Sequence, residues 1–214
     1  MRRRVAVLIS GRGSNLSALL AAAADPGFPA EIALVLSNVP DAPGLVRAAA
    51  AGVATAVVDH RPFGGDRALH EAAIIAVLEA ADIAFVCLAG YLRKLTPLLV
   101  DHYAGRMLNI HPSLLPAFAG LHTHERALAA GVKLHGCTVH VVTAELDAGP
   151  IVAQAAVPVF VNDTPERLAA RVLVQEHALY PSALALVLGA PLWPPERDTA
   201  LSNPLPLHVA PPKS

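Results

Sequence analysis

"VAVLISGRGSNLSALLAAAA", residues 5–24, decides the fold class. Residues 5–10 form an apolar run rich in Val and Ile that ends at Ser10. Such a run is a strand covered on both faces, as in the interior of a parallel sheet. A glycine-rich turn follows, and from Ser14 the residues are helix formers. A buried strand, a glycine turn and a helix open a βαβ unit, whose helices must return across the faces of the sheet.

The same alternation continues outward. Strands are expected at 31–38, 53–59 and 82–90, and helices at 43–52, closed by Gly52, and 66–80. The second half changes character. "RMLNIH" (106–111) reads as a short strand, and 123–131 as a short helix with Thr123 as its cap. Strands at 136–142 and 151–160 are joined by "TAELDAGP" (143–150). A long helix at 164–189 has Thr164 as cap and Pro165 in its first turn; Pro181 is expected to kink or divide it. Residues 190–214 are rich in proline and read as an extended tail with little part in the core. Residues 1–189 are therefore expected to form one domain, with 1–100 and 101–189 as its two halves.

Hydrophobic residues make up 54% of the chain and charged residues 15%, which supplies a large core and argues against disorder. A formal charge of −1 leaves no footprint for nucleic acid or an anionic membrane. No apolar run is long enough to span a bilayer, and the start reads as a first strand rather than a signal peptide. Cys87 and Cys137 each sit in a β-like run without motif spacing. They read as buried free thiols, which fits a cytoplasmic protein.

Ligands of parallel α/β sheets bind beyond the carboxyl ends of the strands. That rule selects Gly11–Asn15, Ala89–Leu95 and Asn109–His111. In "SGRGSN" (10–15) the glycines allow close approach of the backbone, and the next helix offers free amides to an anion. The third glycine of a dinucleotide fingerprint and the lysine of a P-loop are missing, so a monophosphate fits best. An ordinary tight turn with Ser14 or Asn15 as helix cap fits the same letters.

Asn109 and His111 are two apart on a strand, so both side chains can face one pocket. An amide and an imidazolium are two donors suited to an oxygen that becomes negative. Singly, each also fits a structural role. Asp147, in "ELDAGP", reads first as a solvated turn residue and matters to chemistry only if the fold brings it to His111. Ten histidines include the pair His122 and His124, but no spacing matches a metal site, so no metal is expected.

"VLISGRGSNL", "LAGYLRKL", "LNIHPSLLPAFAGLHTHERAL", "HGCTVHVVTAELDAGPIVAQAAVPV" and "QEHALYP" together resemble the glycinamide ribonucleotide formyltransferases, folate-dependent enzymes of purine synthesis. The resemblance runs from about Val5 to Gly189 in the family's order. It implies a Rossmann-like, mostly parallel sheet with helices on both faces. It also implies transfer of formyl from 10-formyltetrahydrofolate, as co-substrate, to the amine of 5-phosphoribosylglycinamide. By resemblance Asn109 and His111 hold the formyl oxygen, and Asp147 pairs with His111 and helps to move the proton. Arg12, Gly13, Ser14 and Asn15 fall at the substrate phosphate, and Glu176 at its ribose or glycinamide end. Arg67, Leu92, Arg93, Lys94, Leu95, Asn109, Glu145, Leu146 and Asp147 fall at the folate site. His122 and His124 flank the catalytic strand by the same resemblance, in a supporting or a structural role.

The chain departs from the family pattern at Arg12, often Asn, at Ala119, commonly Pro, and at Leu173, where a polar residue can help to bind the ribonucleotide. These bear on affinity rather than on the reaction. A methionyl-tRNA formyltransferase would add a C-terminal tRNA domain, and a formyltetrahydrofolate deformylase an N-terminal one; neither is expected here. A sugar-amine formyltransferase is a further relative, against which the phosphate turn argues. A nucleotide-binding module without catalysis would need only the first half. Small-molecule partners are expected, with no nucleic acid or membrane, in a monomer or homodimer.

Overall fold

Strand β1 (Arg3–Ile9) sends alternate side chains into two separate cores. Val5, Val7 and Ile9 enter one, and Ala6 and Leu8 the other. Each fully buried aliphatic side chain of this kind stabilises the fold by about 1.5–3 kcal/mol relative to exposure. A strand apolar on both faces has no stable place except between two layers of helices. The computed structural model describes residues 2–189; the expected proline-rich tail at 190–214 lies outside the described residues.

After β1 come α1 (Ser14–Ala23), β2 (Ala30–Ser37), α2 (Pro43–Ala50), β3 (Ala54–Val57), α3 (Arg67–Ala80), β4 (Phe85–Leu88) and α4 (Pro97–His102). Then follow β5 (Met107–His111), α5 (Thr123–Ala129), β6 (Leu134–Val141), β7 (Ile151–Pro158) and α6 (Pro165–Val187). The seven strands make one sheet in the order β3-β2-β1-β4-β5-β6-β7. The first five in chain order pair in parallel, while β6 runs antiparallel to both β5 and β7. Residues of α1, α2, α5 and α6 fill the core on one face of the sheet. Residues of α3 and α4 fill the other. The expected α/β sheet with helices on both faces is thus what the chain forms.

Four local readings are corrected. The strand expected at 82–90 is only Phe85–Leu88, because Asp82 takes a left-handed turn (φ 51°) and Ile83 still bonds back to the Leu78 carbonyl at 3.0 Å. Helix α4 was not anticipated; it is six residues long, too short to show a period, and is started by Pro97 and the Thr96 side chain, which accepts from Leu98 N–H at 3.2 Å. Thr123 is not a cap. It is the first residue of α5 and is buried, and left-handed His122 (φ 57°) precedes it. Pro181 does not divide α6, which continues to Val187. Leu179, Tyr180, Ala183 and Leu184 anchor the helix in the core on both sides of the proline. The Tyr180 hydroxyl also lies 3.0 and 3.1 Å from the carbonyl oxygens of Leu88 and Leu108. That packing outweighs the missing amide. Thr164 and Pro165 begin the helix as expected, with the threonine side chain accepting from Arg167 N–H at 3.3 Å.

Candidate active site

The strand order reverses between β1 and β4, so the turns leaving these strands diverge and open a crevice at their carboxyl ends. The turn after β1 is built around Gly13, which is left-handed (φ 69°, ψ 41°) and stands at the N-cap of α1. A Cβ there would also lie 3.1 Å from the Gly44 Cα, so the turn and the start of α2 need their glycines to touch. Neither Ser14 nor Asn15 caps the helix, which removes the plain capped-turn reading. Asn15 instead turns its side chain away and donates from Nδ2 to Glu176 Oε2 on α6 at 2.6 Å. Both residues are buried, and the Asn15 Oδ1 has no protein partner. Burial raises the Glu176 carboxyl above its ordinary range, and the bond from Asn15 opposes the rise. The first amides of α1 remain free of intrahelical bonds, as at any helix start, and can receive an anion. Arg12 is exposed beside them, its carbonyl accepting from Arg47 Nε at 3.0 Å.

Asn109 and His111 lie on β5, and the register of β6 places His140 opposite Asn109 and Thr138 opposite His111. Loop residue Asp147 reaches this pair. Its side chain is only 7% exposed, not solvated as the turn reading supposed, and lies 3.4 Å from His111 Nδ1 and 3.7 Å from His140 Nε2. Gly120 N–H donates to Asp147 Oδ2 at 2.9 Å, which fixes the carboxylate from a second loop. His111 Nε2 lies 3.2 Å from the Phe118 carbonyl oxygen. Both ring nitrogens of His111 therefore face oxygen acceptors.

His140 is buried beside this pair. Burial lowers its affinity for a second proton, partly countered by its bond to the Val141 carbonyl and by Asp147. The neutral ring donates from Nδ1 to that carbonyl at 3.1 Å and leaves Nε2 to accept from Asn109 Nδ2 at 3.2 Å. The Asn109 amide is thereby oriented. His140 was not singled out from the sequence. Its only signal was a period-two relation to Thr138 in "TVH", whose meaning depends on the pairing of β6 with β5. Phe118, His122 and Asp147 are all left-handed without being glycine (φ 53–57°). Such strain gathers where surrounding structure holds loops in place around a site.

Asn109, His140 and Asp147 line a cleft of about 530 Å³ that opens to solvent. Arg93, Lys94, Leu95, Glu145 and Leu146 line it too. Leu88, Tyr91 and Val142 give it apolar wall. Leu92 is adjacent, but its side chain is 77% exposed. Arg67 is exposed at the start of α3 and does not border this cleft.

His124 and His135 form a pair of their own. His135 Nε2 lies 3.2 Å from His124 Nδ1, and burial, then the neighbouring His124, pushes His135 down to about 4. His122 is exposed and pairs with Glu125 at 3.6 Å. Among the described residues no three His, Cys, Asp or Glu side chains are grouped to hold a metal ion, and no helix is long and apolar enough to cross a membrane. Cys87 and Cys137 are buried free thiols.

Residues 3–184 match the formyl transferase family, and the chain belongs to it. It is 47% identical over 182 residues to the phosphoribosylglycinamide formyltransferase of Escherichia coli, covering 85% of each chain. The crystal structure of the phosphoribosylglycinamide formyltransferase from Brucella melitensis superposes with a TM-score of 0.84 at 55% identity, covering 89% of this chain and 97% of that one. The trifunctional purine biosynthetic protein adenosine-3 of Gallus gallus is 48% identical over 184 residues; the match takes in 86% of this chain and 18% of the relative, so the chain spans less than a fifth of that protein.

Proposed function

We propose that the chain transfers a formyl group from 10-formyltetrahydrofolate to the amine of 5-phosphoribosylglycinamide, giving 5-phosphoribosyl-N-formylglycinamide and tetrahydrofolate for purine synthesis in the cytoplasm. The observation that supports this is the 3.4 Å pairing of Asp147 with His111, together with a cleft that both Asp147 and Asn109 line. Its relatives named above carry this activity in their names.

The substrate amine is the nucleophile, so the enzyme supplies position, charge and a proton path. Attack forms a carbon–nitrogen bond and turns the formyl oxygen into an oxyanion. The Asn109 amide, oriented by His140, donates to that oxygen, and His111, two positions on, shares that role. Asp147, 3.4 Å from His111 Nδ1, receives the proton released by the amine, directly or through water. The proton returns to the folate nitrogen as its bond to the formyl carbon breaks, which restores Asp147.

The amides of Gly13, Ser14 and Asn15, with Arg12 beside them, suit the substrate phosphate. Glu176, held by Asn15, suits the ribose or glycinamide end. The backbone of Leu92–Leu95 and of Glu145–Asp147 suits the polar pterin edge, with the apolar wall against its ring. Arg93 and Arg67 are the cations available to the glutamate carboxylates. Residues 1–189 act as one domain in this reading, in which the first half binds phosphate and the second carries catalysis. Its partners are small molecules.

The test mixes the protein with 10-formyltetrahydrofolate, with and without phosphoribosylglycinamide. Formylated amine and tetrahydrofolate are expected only when both are present. No transfer with the amine present would overturn the reading, and folate release without it would mark a deformylase.

A further inference from the structure

We propose that Ser10 is a positioning residue for the formyl donor, acting through the backbone of Leu92–Leu95; this rests on the folate reading above. Residues 92–95 belong to neither helix nor strand, yet Arg93, Lys94 and Leu95 border the cleft. Apolar burial does not fix the start of this segment, because the Leu92 side chain is 77% exposed. Polar clamps fix both ends.

At the first end, Leu92 N–H donates to Ser10 Oγ at 2.8 Å. The Ser10 hydroxyl donates in turn to Asn38 Oδ1 at 2.6 Å. That second bond uses the hydroxyl proton and leaves the oxygen lone pairs for Leu92. Asn38 is buried at the end of β2 and is itself held, with its carbonyl oxygen 2.9 Å from His60 Nδ1. Ser10 thus ties the segment to the carboxyl ends of two neighbouring strands. At the second end, Thr96 N–H and Oγ1 donate to the two oxygens of buried Glu71 at 2.7 and 2.6 Å, and Leu99 N–H joins at 3.2 Å. Between these clamps lie the Leu92 carbonyl and the amides and carbonyls of Arg93, Lys94 and Leu95, the backbone groups available to the donor. A rim held before the ligand arrives spares the ordering cost of binding.

Ser10 does not border the cleft, and its own amide bonds the Gly90 carbonyl at 3.1 Å whatever its side chain. Ser10→Ala should therefore raise KM for 10-formyltetrahydrofolate about 5–10-fold, the worth of one lost hydrogen bond. KM for phosphoribosylglycinamide should stay as it is, the thermal midpoint should fall modestly because buried Asn38 Oδ1 loses its donor, and amide hydrogen exchange at Leu92 should quicken. Ser10→Thr, which keeps the Oγ, should restore the donor KM. An unchanged donor KM in Ser10→Ala, or an equal rise in both KM values, would overturn the proposal. If the unaltered protein transfers no formyl group, the functional reading fails instead; the clamp is then read by exchange alone, and an unchanged Leu92 rate would overturn it.

Discussion

The Asp147 carboxylate lies 3.4 Å from His111 Nδ1, and both side chains are less than a tenth exposed. The contact joins a strand to a loop 36 positions later in the chain. Asp147→Asn keeps the shape and can still accept from Gly120 N–H, but it cannot take a proton or hold an imidazolium. The fold should persist, with kcat reduced about 10²–10⁴-fold. Steady-state rates with a circular dichroism control check this; near-wild-type turnover would remove Asp147 from the proton path.

Asn109→Ala deletes the amide that His140 orients at 3.2 Å. Loss of one oxyanion donor should lower kcat about 10²–10³-fold, with a smaller change in either KM. A defect confined to KM would show that Asn109 binds ground-state substrate rather than the oxyanion.

Gly13→Ala forces a side chain into a left-handed turn, 3.1 Å from the Gly44 Cα. The strain is about 1–2 kcal/mol from the backbone alone. Calorimetric titration should show ribonucleotide affinity falling about tenfold or more, with folate affinity nearly unchanged. An equal loss of both would contradict the phosphate assignment.

Thr138 Oγ1 accepts from Leu115 N–H at 3.0 Å and Gln154 Nε2 at 2.9 Å, and donates to the Ser113 carbonyl at 2.7 Å. Thr138→Val keeps the volume and leaves the Leu115 N–H and the Ser113 carbonyl unpaired, while Gln154 Nε2 keeps the Leu115 carbonyl at 2.8 Å. Urea unfolding should show a loss of about 2–4 kcal/mol. Because the segment 112–118 follows His111 and supplies the Phe118 carbonyl, kcat should fall as well.

His135 is held neutral, with its ordinary value near 6.5 pushed down to about 4. Between these values the unfolded chain binds the extra proton and the native chain does not, so stability falls as pH drops from about 6.5 to 4. His124, His140 and His177 are lowered too and act with the same sign. Glu176 is raised and acts oppositely, losing stability as pH rises through its ordinary range near 4.5. Thermal midpoints measured across this window should decline toward acid, and less steeply in His135→Asn. An equal slope in the variant would deny His135 its share.

What could be read from the sequence follows the range of the forces involved. Strands β1 and β2 and helices α1 and α3 announce themselves because burial of a continuous face leaves a local pattern. The glycine turn is legible for the same reason. Helix α4 is not, since six residues held by Thr96 and Glu71 carry no period. Asp82 and His122 in left-handed turns could not be anticipated, because glycine is the residue that signals such turns. In the site, Asn109 and His111 were readable as a same-face pair, and family resemblance pointed to Asp147. His140 was invisible because its role arises from cross-strand register, which no local window contains.

The order β1-β4-β5 makes the sheet a measuring device. The glycine turn ends β1, Asn109 lies on β5, and one strand separates them. Two steps of the strand spacing set these stations about 10 Å apart across the sheet. In the proposed reaction, a molecule gripped by its phosphate at the first station must carry its amine about that far to react at the second. Selection among amines then falls to reach as much as to chemical contact: shorter phosphorylated amines stop before the oxyanion donors, and longer ones overshoot them.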